Sequence, residues 1–268
     1  MVRGSVLRGG MMRLGKGILL GAMALAAGMA WAQQQGADLP TMVQAQAGDA
    51  RAQFHMGLAC LTGQGMAQNY TMARAWFEKA AQQGLPEAAF NVGEMYEQGL
   101  GVEKDDSAAA LWYRKAADQG FREAQFSLGV LLEAGRGGAK DPALAAEYYR
   151  KAADQGLAAA QFNLGILYDY GQGVAQDPAQ AAEWYRKAAE QGLARAAYNL
   201  GSMYAMGQGV GRDQAEAYFW LAVAAESWSG EQHEQAAKAR DALGVRLTPE
   251  QLAAAQLRVK KWMEERAK

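Results

Sequence analysis

One four-residue pattern returns five times along this chain at an unvarying interval. Phe54-His55-Met56-Gly57, Phe90-Asn91-Val92-Gly93, Phe126-Ser127-Leu128-Gly129, Phe162-Asn163-Leu164-Gly165 and Tyr198-Asn199-Leu200-Gly201 place a glycine every 36 residues, without insertion. The same interval links Trp76, Trp112, Tyr148, Trp184 and Trp220, and again Gly84, Gly120, Gly156 and Gly192. A fixed period of about 20–50 residues signals stacked supersecondary units, none of which can bury its apolar face alone. Half of the 268 residues are hydrophobic and 21% are charged, which supplies the apolar mass for such a stack.

Each period resolves into two helices. Over residues 86–119, Pro86-Glu87 opens the first, with proline in the turn where its missing N–H costs nothing. Ala88, Val92 and Tyr96 make one apolar stripe at four-residue spacing, and Gly99-Leu100-Gly101 ends it. Asp105 starts the second helix, and Asn69, Asp141, Asp177 and Asp213 hold the equivalent position. All are strong N-capping types, worth about 1 kcal/mol each. Ala109, Trp112, Tyr113, Ala116 and Ala117 then form a broad apolar face, and Gly120 supplies a left-handed stop. The spacing predicts an all-α chain of helix-turn-helix repeats.

The glycines at 57, 93, 129, 165 and 201 fall inside predicted helices, where each costs about 1 kcal/mol relative to alanine. Five such costs, about 5 kcal/mol together, rival the stability of a whole domain. The expected compensation is close approach of the partner helix, with one of its large Trp or Tyr side chains over each bare backbone.

Residues 160–174 (Ala-Gln-Phe-Asn-Leu-Gly-Ile-Leu-Tyr-Asp-Tyr-Gly-Gln-Gly-Val) followed by 177–192 (Asp-Pro-Ala-Gln-Ala-Ala-Glu-Trp-Tyr-Arg-Lys-Ala-Ala-Glu-Gln-Gly) resemble the units of the Sel-one-like repeat family. That family is related to the tetratricopeptide repeats and has a slightly longer unit. The likeness covers residues 47–227. It implies a right-handed α-solenoid whose first helices line a concave face, and an adaptor or scaffold role without activity of its own. The fifth unit departs from the pattern, because Ser227-Trp228 replaces the Gln-Gly stop. A capping box at Thr248-Pro249-Glu250-Gln251 then opens a last helix with Leu252, Ala255, Val259, Trp262 and Met263 on its apolar side. Residues 228–268 are expected to form the terminal cap of the solenoid.

Ahead of the repeats, Arg3, Arg8, Arg13 and Lys16 precede an apolar run from Gly17 to Met29 and the small-x-small sequence Ala30-Trp31-Ala32. This is the pattern of an export signal, residues 1–32, cleaved between Ala32 and Gln33. The run of 13 residues is shorter than the ~20 that span a bilayer, and an uncleaved anchor is the alternative. Residues 33–46 read as a lead-in. The mature chain is expected in the periplasm or outside the cell, with no membrane span. Residues 1–32 hold four basic side chains and no acid, so the remainder carries 23 basic against 28 acidic groups, a charge of −5. That balance excludes a generally basic nucleic-acid binder.

Material for chemistry is sparse. One cysteine and two histidines furnish neither a metal cluster nor a disulfide framework, and no metal or cofactor is expected. Cys60 shares its slot with Tyr96, Leu132, Tyr168 and Tyr204 and is expected in the core. The Gly-x-Gly pairs at 63/65, 99/101, 135/137, 171/173 and 207/209 lack the strand that precedes a dinucleotide fingerprint, and they read as inter-helix turns. After His233-Glu234, Ala237 stands where a zinc protease needs its second histidine. Some cysteine-rich relatives of the family are linked to β-lactam binding, but their paired cysteines and the Ser-x-x-Lys motif of penicillin-binding enzymes are absent here. Lys79, Lys115, Lys151 and Lys187 read as a solvated outer stripe near helix C-termini.

Of the four slots that the first helices leave off their apolar arc, one is Arg51, Glu87, Glu123, Ala159 and Arg195, and the other three bear most on a partner. Of those three, the first reads His55, Asn91, Ser127, Asn163 and Asn199; the next Leu58, Glu94, Val130, Ile166 and Ser202; the last Thr62, Gln98, Ala134, Tyr170 and Met206. Small polar groups in the first suit an extended peptide backbone, while the other two turn apolar toward the middle of the chain. The candidate site for a protein or peptide partner is therefore Asn91, Glu94, Gln98, Ser127, Val130, Asn163, Ile166, Tyr170, Asn199 and Met206. Packing against a neighbouring element or another copy is the competing reading. The expected function is a monomeric, non-catalytic interaction scaffold of the cell envelope; the alternatives are a cell-wall or β-lactam hydrolase and a purely structural oligomer.

Overall fold

The computed structural model describes residues 39–266, so the expected export segment and its Ala32–Gln33 junction lie outside the described residues. The fold is an all-α solenoid of helix-turn-helix repeats, with no strand among the described residues. Its helices are α1 (Leu39–Gln46), α2 (Ala50–Thr62), α3 (Tyr70–Gln82), α4 (Pro86–Gln98), α5 (Asp106–Ala117), α6 (Arg122–Ala134) and α7 (Pro142–Asp154). They continue with α8 (Ala158–Tyr170), α9 (Pro178–Glu190), α10 (Ala194–Met206), α11 (Gln214–Ser227), α12 (Gly230–Gly244) and α13 (Pro249–Arg266). Two compact units divide between Lys104 and Asp105. The first holds α1–α4 and the second α5–α13.

The predicted start and stop signals act as expected. Asn69, Asp105, Asp141, Asp177 and Asp213 each accept a backbone N–H from the first turn of the helix they open. Second helices close with paired bonds: Gly156 N–H donates to Ala153 O (2.9 Å) and Leu157 N–H to Ala152 O (3.1 Å), and Gly192 and Leu193 repeat the pattern. This is the Schellman arrangement, which requires the positive φ that glycine adopts freely.

The Gly-x-Gly pairs are structural at both positions. The first glycine of each is the left-handed C-cap of a first helix, with φ between 65° and 76°. The second permits close approach. A Cβ on Gly137 would lie 2.2 Å from Asp106 O, and one on Gly209 2.2 Å from Pro178 O. The turn of one repeat thus rests on the backbone where the previous repeat's second helix begins.

Inside the helices, the glycines do admit large neighbours, but not from the expected series. A Cβ on Gly57 would lie 2.5 Å from the Phe77 ring, on Gly129 and Gly165 2.7 Å from the rings of Tyr149 and Tyr185, and on Gly201 2.9 Å from Leu221. The inserted residue therefore follows the Trp/Tyr series by one position, and it is Phe or Leu at two of these sites. Adjacent helical residues point about 100° apart. With Tyr185 turned onto Gly165, Trp184 is turned toward the helix edge, where the Lys187 ammonium lies 3.9 Å from its ring centroid. Lys79 on Trp76 and Lys151 on Tyr148 repeat the arrangement at 4.4 and 4.9 Å. These lysines are exposed, as their stripe predicts, and each also shields an aromatic face.

A glutamine ladder ties repeats together. Buried Gln125 donates to Ala117 O (3.2 Å) and accepts from Gln155 (2.8 Å); Gln161 donates to Ala153 O (3.1 Å) and accepts from Gln191 (2.8 Å). In the first unit Gln53 stands likewise between Ala45 O and Gln83. Each buried amide is satisfied on both sides, so its burial costs little.

At the end of the chain α13 packs on α11. The Trp262 ring meets Phe219 and Trp220 edge-on at 5.6 and 5.4 Å. Leu252 and Val259 pack against the same end of the core, with Ala255 buried among them. Thr248 and Gln251 exchange both bonds of the capping box, at 3.0 and 3.2 Å.

Candidate functional site

The first helices of the second unit, α6, α8 and α10, carry most of the sequence-derived partner residues. Here the repeat builds a polar row from three types of residue. The Tyr149 hydroxyl donates to Glu133 Oε2 (2.8 Å) and bonds the amide of Asn163. One repeat later the Tyr185 hydroxyl is buried facing Asp169 and Asn199, in a looser arrangement without a close bond. Burial and the adjacent carboxylate hold both phenols well above their ordinary pKa, so they remain neutral donors. Burial also pushes Asp169 above the usual carboxylate range.

Asn163 and Asn199, read from sequence as groups for a peptide backbone, thus already serve the tyrosines of the neighbouring helix. Both remain half-buried and retain one face toward solvent. Ser127 and Val130 are buried at 6% exposure each, which leaves them little surface to offer. Ile166 is half-buried and packs on the core shared by α9, α10 and α11. Tyr170 and Met206 stand out, at 55% and 56% exposed, and they occupy one slot in successive repeats. Gln208 bridges toward this surface with a 3.4 Å bond to Asp169.

The remaining three candidates lie on α4 of the first unit. Gln98 is exposed, and Asn91 spends its amide on Glu87 O at 2.8 Å. Glu94 is buried, and desolvation, with a smaller contribution from Glu97, raises its pKa to about 8. It is therefore mostly uncharged at neutral pH.

Sequence reasoning missed the tyrosine–carboxylate row. Its signal was present: Tyr113, Tyr149 and Tyr185 recur at 36 residues, as do Glu97, Glu133 and Asp169. The first series was read only as part of an apolar face. Cys60 is fully buried, and His233 Nδ1 lies 2.9 Å from Ala225 O. Among the described residues no group of three or more His, Cys, Asp or Glu is placed to hold a metal ion, and no helix is long and apolar enough to cross a membrane.

The repeat geometry agrees with a family comparison. The profile described as the Sel1 repeat matches residues 50–85, 86–121, 122–157, 158–193 and 194–227, which is most of the chain. The chain belongs to the Sel1 repeat family. Sel1 repeats serve generally as protein–protein interaction scaffolds, typically non-catalytic ones. Among solved structures, a Sel1 repeat protein from Oxalobacter formigenes is 33% identical, with a TM-score of 0.66 over 80% of this chain and 89% of that one. The protein c5321, described as a protective antigen of uropathogenic Escherichia coli strains with an SLR fold, is 30% identical, with a TM-score of 0.52. That alignment covers 92% of this chain but 59% of the antigen. No curated protein matches the sequence.

Proposed function

We propose that this Sel1 repeat protein is exported from the cytoplasm and acts in the cell envelope as a scaffold that holds an extended protein segment on the first-helix surface of its second unit. One observation carries the reading: Tyr170 and Met206 are more than half exposed, in the same slot of adjacent repeats, beside half-buried Ile166, Asn163 and Asn199. Large apolar side chains exposed in register favour a partner with matching alternate side chains, and the amides suit its backbone. Ser127 and Val130 act as support beneath or beside such a surface.

The test is in-cell photocrosslinking from position 170, with position 183 on the exposed side of α9 as control. A partner captured from 170 and not from 183, and lost on Ile166→Asp with Tyr170→Ala, is the expected result. Capture from both positions alike, or of a second copy of this chain alone, overturns it. Cell fractionation of the full-length chain decides the export claim separately.

A further inference from the structure

The first repeat carries the smallest side chain at one slot, and a cavity lies beside it. Tyr96 fills this slot in the second repeat, where Arg74 donates to its hydroxyl at 3.1 Å; Tyr168 and Tyr204 are clasped in the same way by Arg150 and Arg186. The slot holds Leu132 in the third repeat and Cys60, the smallest of the five side chains, in the first. A cavity of about 380 Å³ adjoins Cys60, lined mainly by Met42, Met56, Met66, Met72 and Trp76, with the polar Gln46, Gln68 and Asn69 also on its wall. Of the eight methionines within residues 39–266, four converge here with the chain's single cysteine. The Cys60 Sγ already lies 3.3 Å from Met66 Sδ. Met42 and Met72 are 37% and 49% exposed, so the cavity opens to solvent.

We infer that this sulfur-lined cavity is a binding site for a soft monovalent cation of the Cu(I) or Ag(I) class, with Cys60 and Met66 as the first two ligands. Thiolate and thioether sulfur together select Cu(I); zinc also takes thiolate but otherwise imidazole or carboxylate, not thioether, and calcium and magnesium take oxygen. Two sulfurs each about 2.3 Å from one tetrahedral metal lie roughly 3.8 Å apart, so the existing pair needs to open by only about half an ångström. Met42, Met56 and Met72 each have three rotatable bonds, and any of them can supply a third sulfur from the cavity wall. Trp76 closes one side. A packed core would instead leave few voids larger than a water molecule.

Anaerobic titration of the reduced full-length chain with Cu(I), against the colorimetric chelator bicinchoninate, tests this directly. The chain should withdraw one equivalent of copper, and X-ray absorption should show sulfur neighbours only. Met66→Leu and Cys60→Ala should each weaken binding at least about 100-fold, the upper range for losing even an outer-shell partner. Met206→Leu, remote in sequence and outside the cavity, should leave binding unchanged. Leucine conserves volume, so Met66→Leu remains decisive even where Cys60→Ala fails to fold. Failure to compete with the chelator, binding that survives Met66→Leu, or nitrogen and oxygen neighbours at the metal would each overturn the inference.

Discussion

The third and fourth repeats and the fifth meet one packing requirement with different chemistry. In the third and fourth, Gly129 and Gly165 receive tyrosine rings whose hydroxyls face a carboxylate and an asparagine. In the fifth, Gly201 receives Leu221, and Ala205 replaces the carboxylate. The glutamine ladder stops at the same place, since Ala197 stands where Gln125 and Gln161 stand earlier. Phe219, Trp220 and Trp262 form an apolar lock in its stead. Polar rungs need a following repeat to complete them, because Tyr149 uses Asn163 from the next first helix. The last repeat has no successor, so a tyrosine there would leave its hydroxyl and acid half-satisfied. Solenoid ends therefore change chemistry as well as exposure.

The largest effect should come from filling the glycine beneath a ring. Gly165→Leu drives a branched side chain into Tyr185 at a point where even a Cβ is only 2.7 Å away. Overpacking of this kind typically costs 1–3 kcal/mol, and a rigid ring in a helix interface places it at or above about 4 kcal/mol. Thermal unfolding followed by circular dichroism should show loss of the cooperative transition or a very large drop in Tm. Gly201→Leu should cost nearly as much: the Leu221 side chain can change rotamer, but the backbone at Ala217 O and Leu221 N lies 3.1 Å from the new Cβ and cannot. Unchanged stability at either position would mean that close approach at the glycine does not set the spacing.

A smaller effect, opposite in sign, is expected at Glu94. This slot is Val130 and Ile166 in the third and fourth repeats, so the acid is the exception. Its folded pKa is raised from the ordinary 4.5 to about 8. For a raised carboxylate, the stabilising contribution is fully present below the unfolded pKa and fades as pH rises through the folded one. Glu94→Gln should therefore match the parent near pH 4, gain stability between pH 5 and 8, and hold a constant advantage of a few kcal/mol above that. Denaturant midpoints across that range measure it. A pH-independent difference would contradict the burial of this group.

The repeat, its helices and its caps were legible because they depend on local chemistry. Asp177 caps its own helix, and Gly171 closes the preceding one, whatever lies around them. Helix existence followed from spacing alone. What lies across a helix pair was less legible, because a shift of one residue is a turn of 100°. Trp184 and Tyr185 share the same period, and periodicity cannot say which one faces Gly165. Of the candidate partner surface, Tyr170 and Met206 were read correctly as lying off the apolar arc, while the burial of Ser127 and Val130 depends on neighbouring helices that the pattern does not specify. The sulfur-lined cavity was the least visible, since Met42, Met56, Met66 and Met72 follow no period and meet only in the folded first unit.

The smallest of these effects isolates a single polar rung. Tyr149→Phe keeps the ring over Gly129 and removes only the hydroxyl that donates to Glu133. A bond to a charged acceptor contributes about 1.5–3 kcal/mol net, but Glu133 is only partly buried, and water can solvate the carboxylate once the phenol is gone. The expected loss is therefore about 1 kcal/mol, below the full value of the bond. A double-mutant cycle with Glu133→Gln separates the rung from the ring, since the ring's packing is common to all four proteins. Coupling near 1 kcal/mol would place the stabilisation in the polar contact. Coupling near zero, with the whole loss in Tyr149→Phe alone, would mean that Asn163 is the partner that matters. The chemistry that ends at the fifth repeat would then lie in the asparagine series, whose last member, Asn199, faces Tyr185.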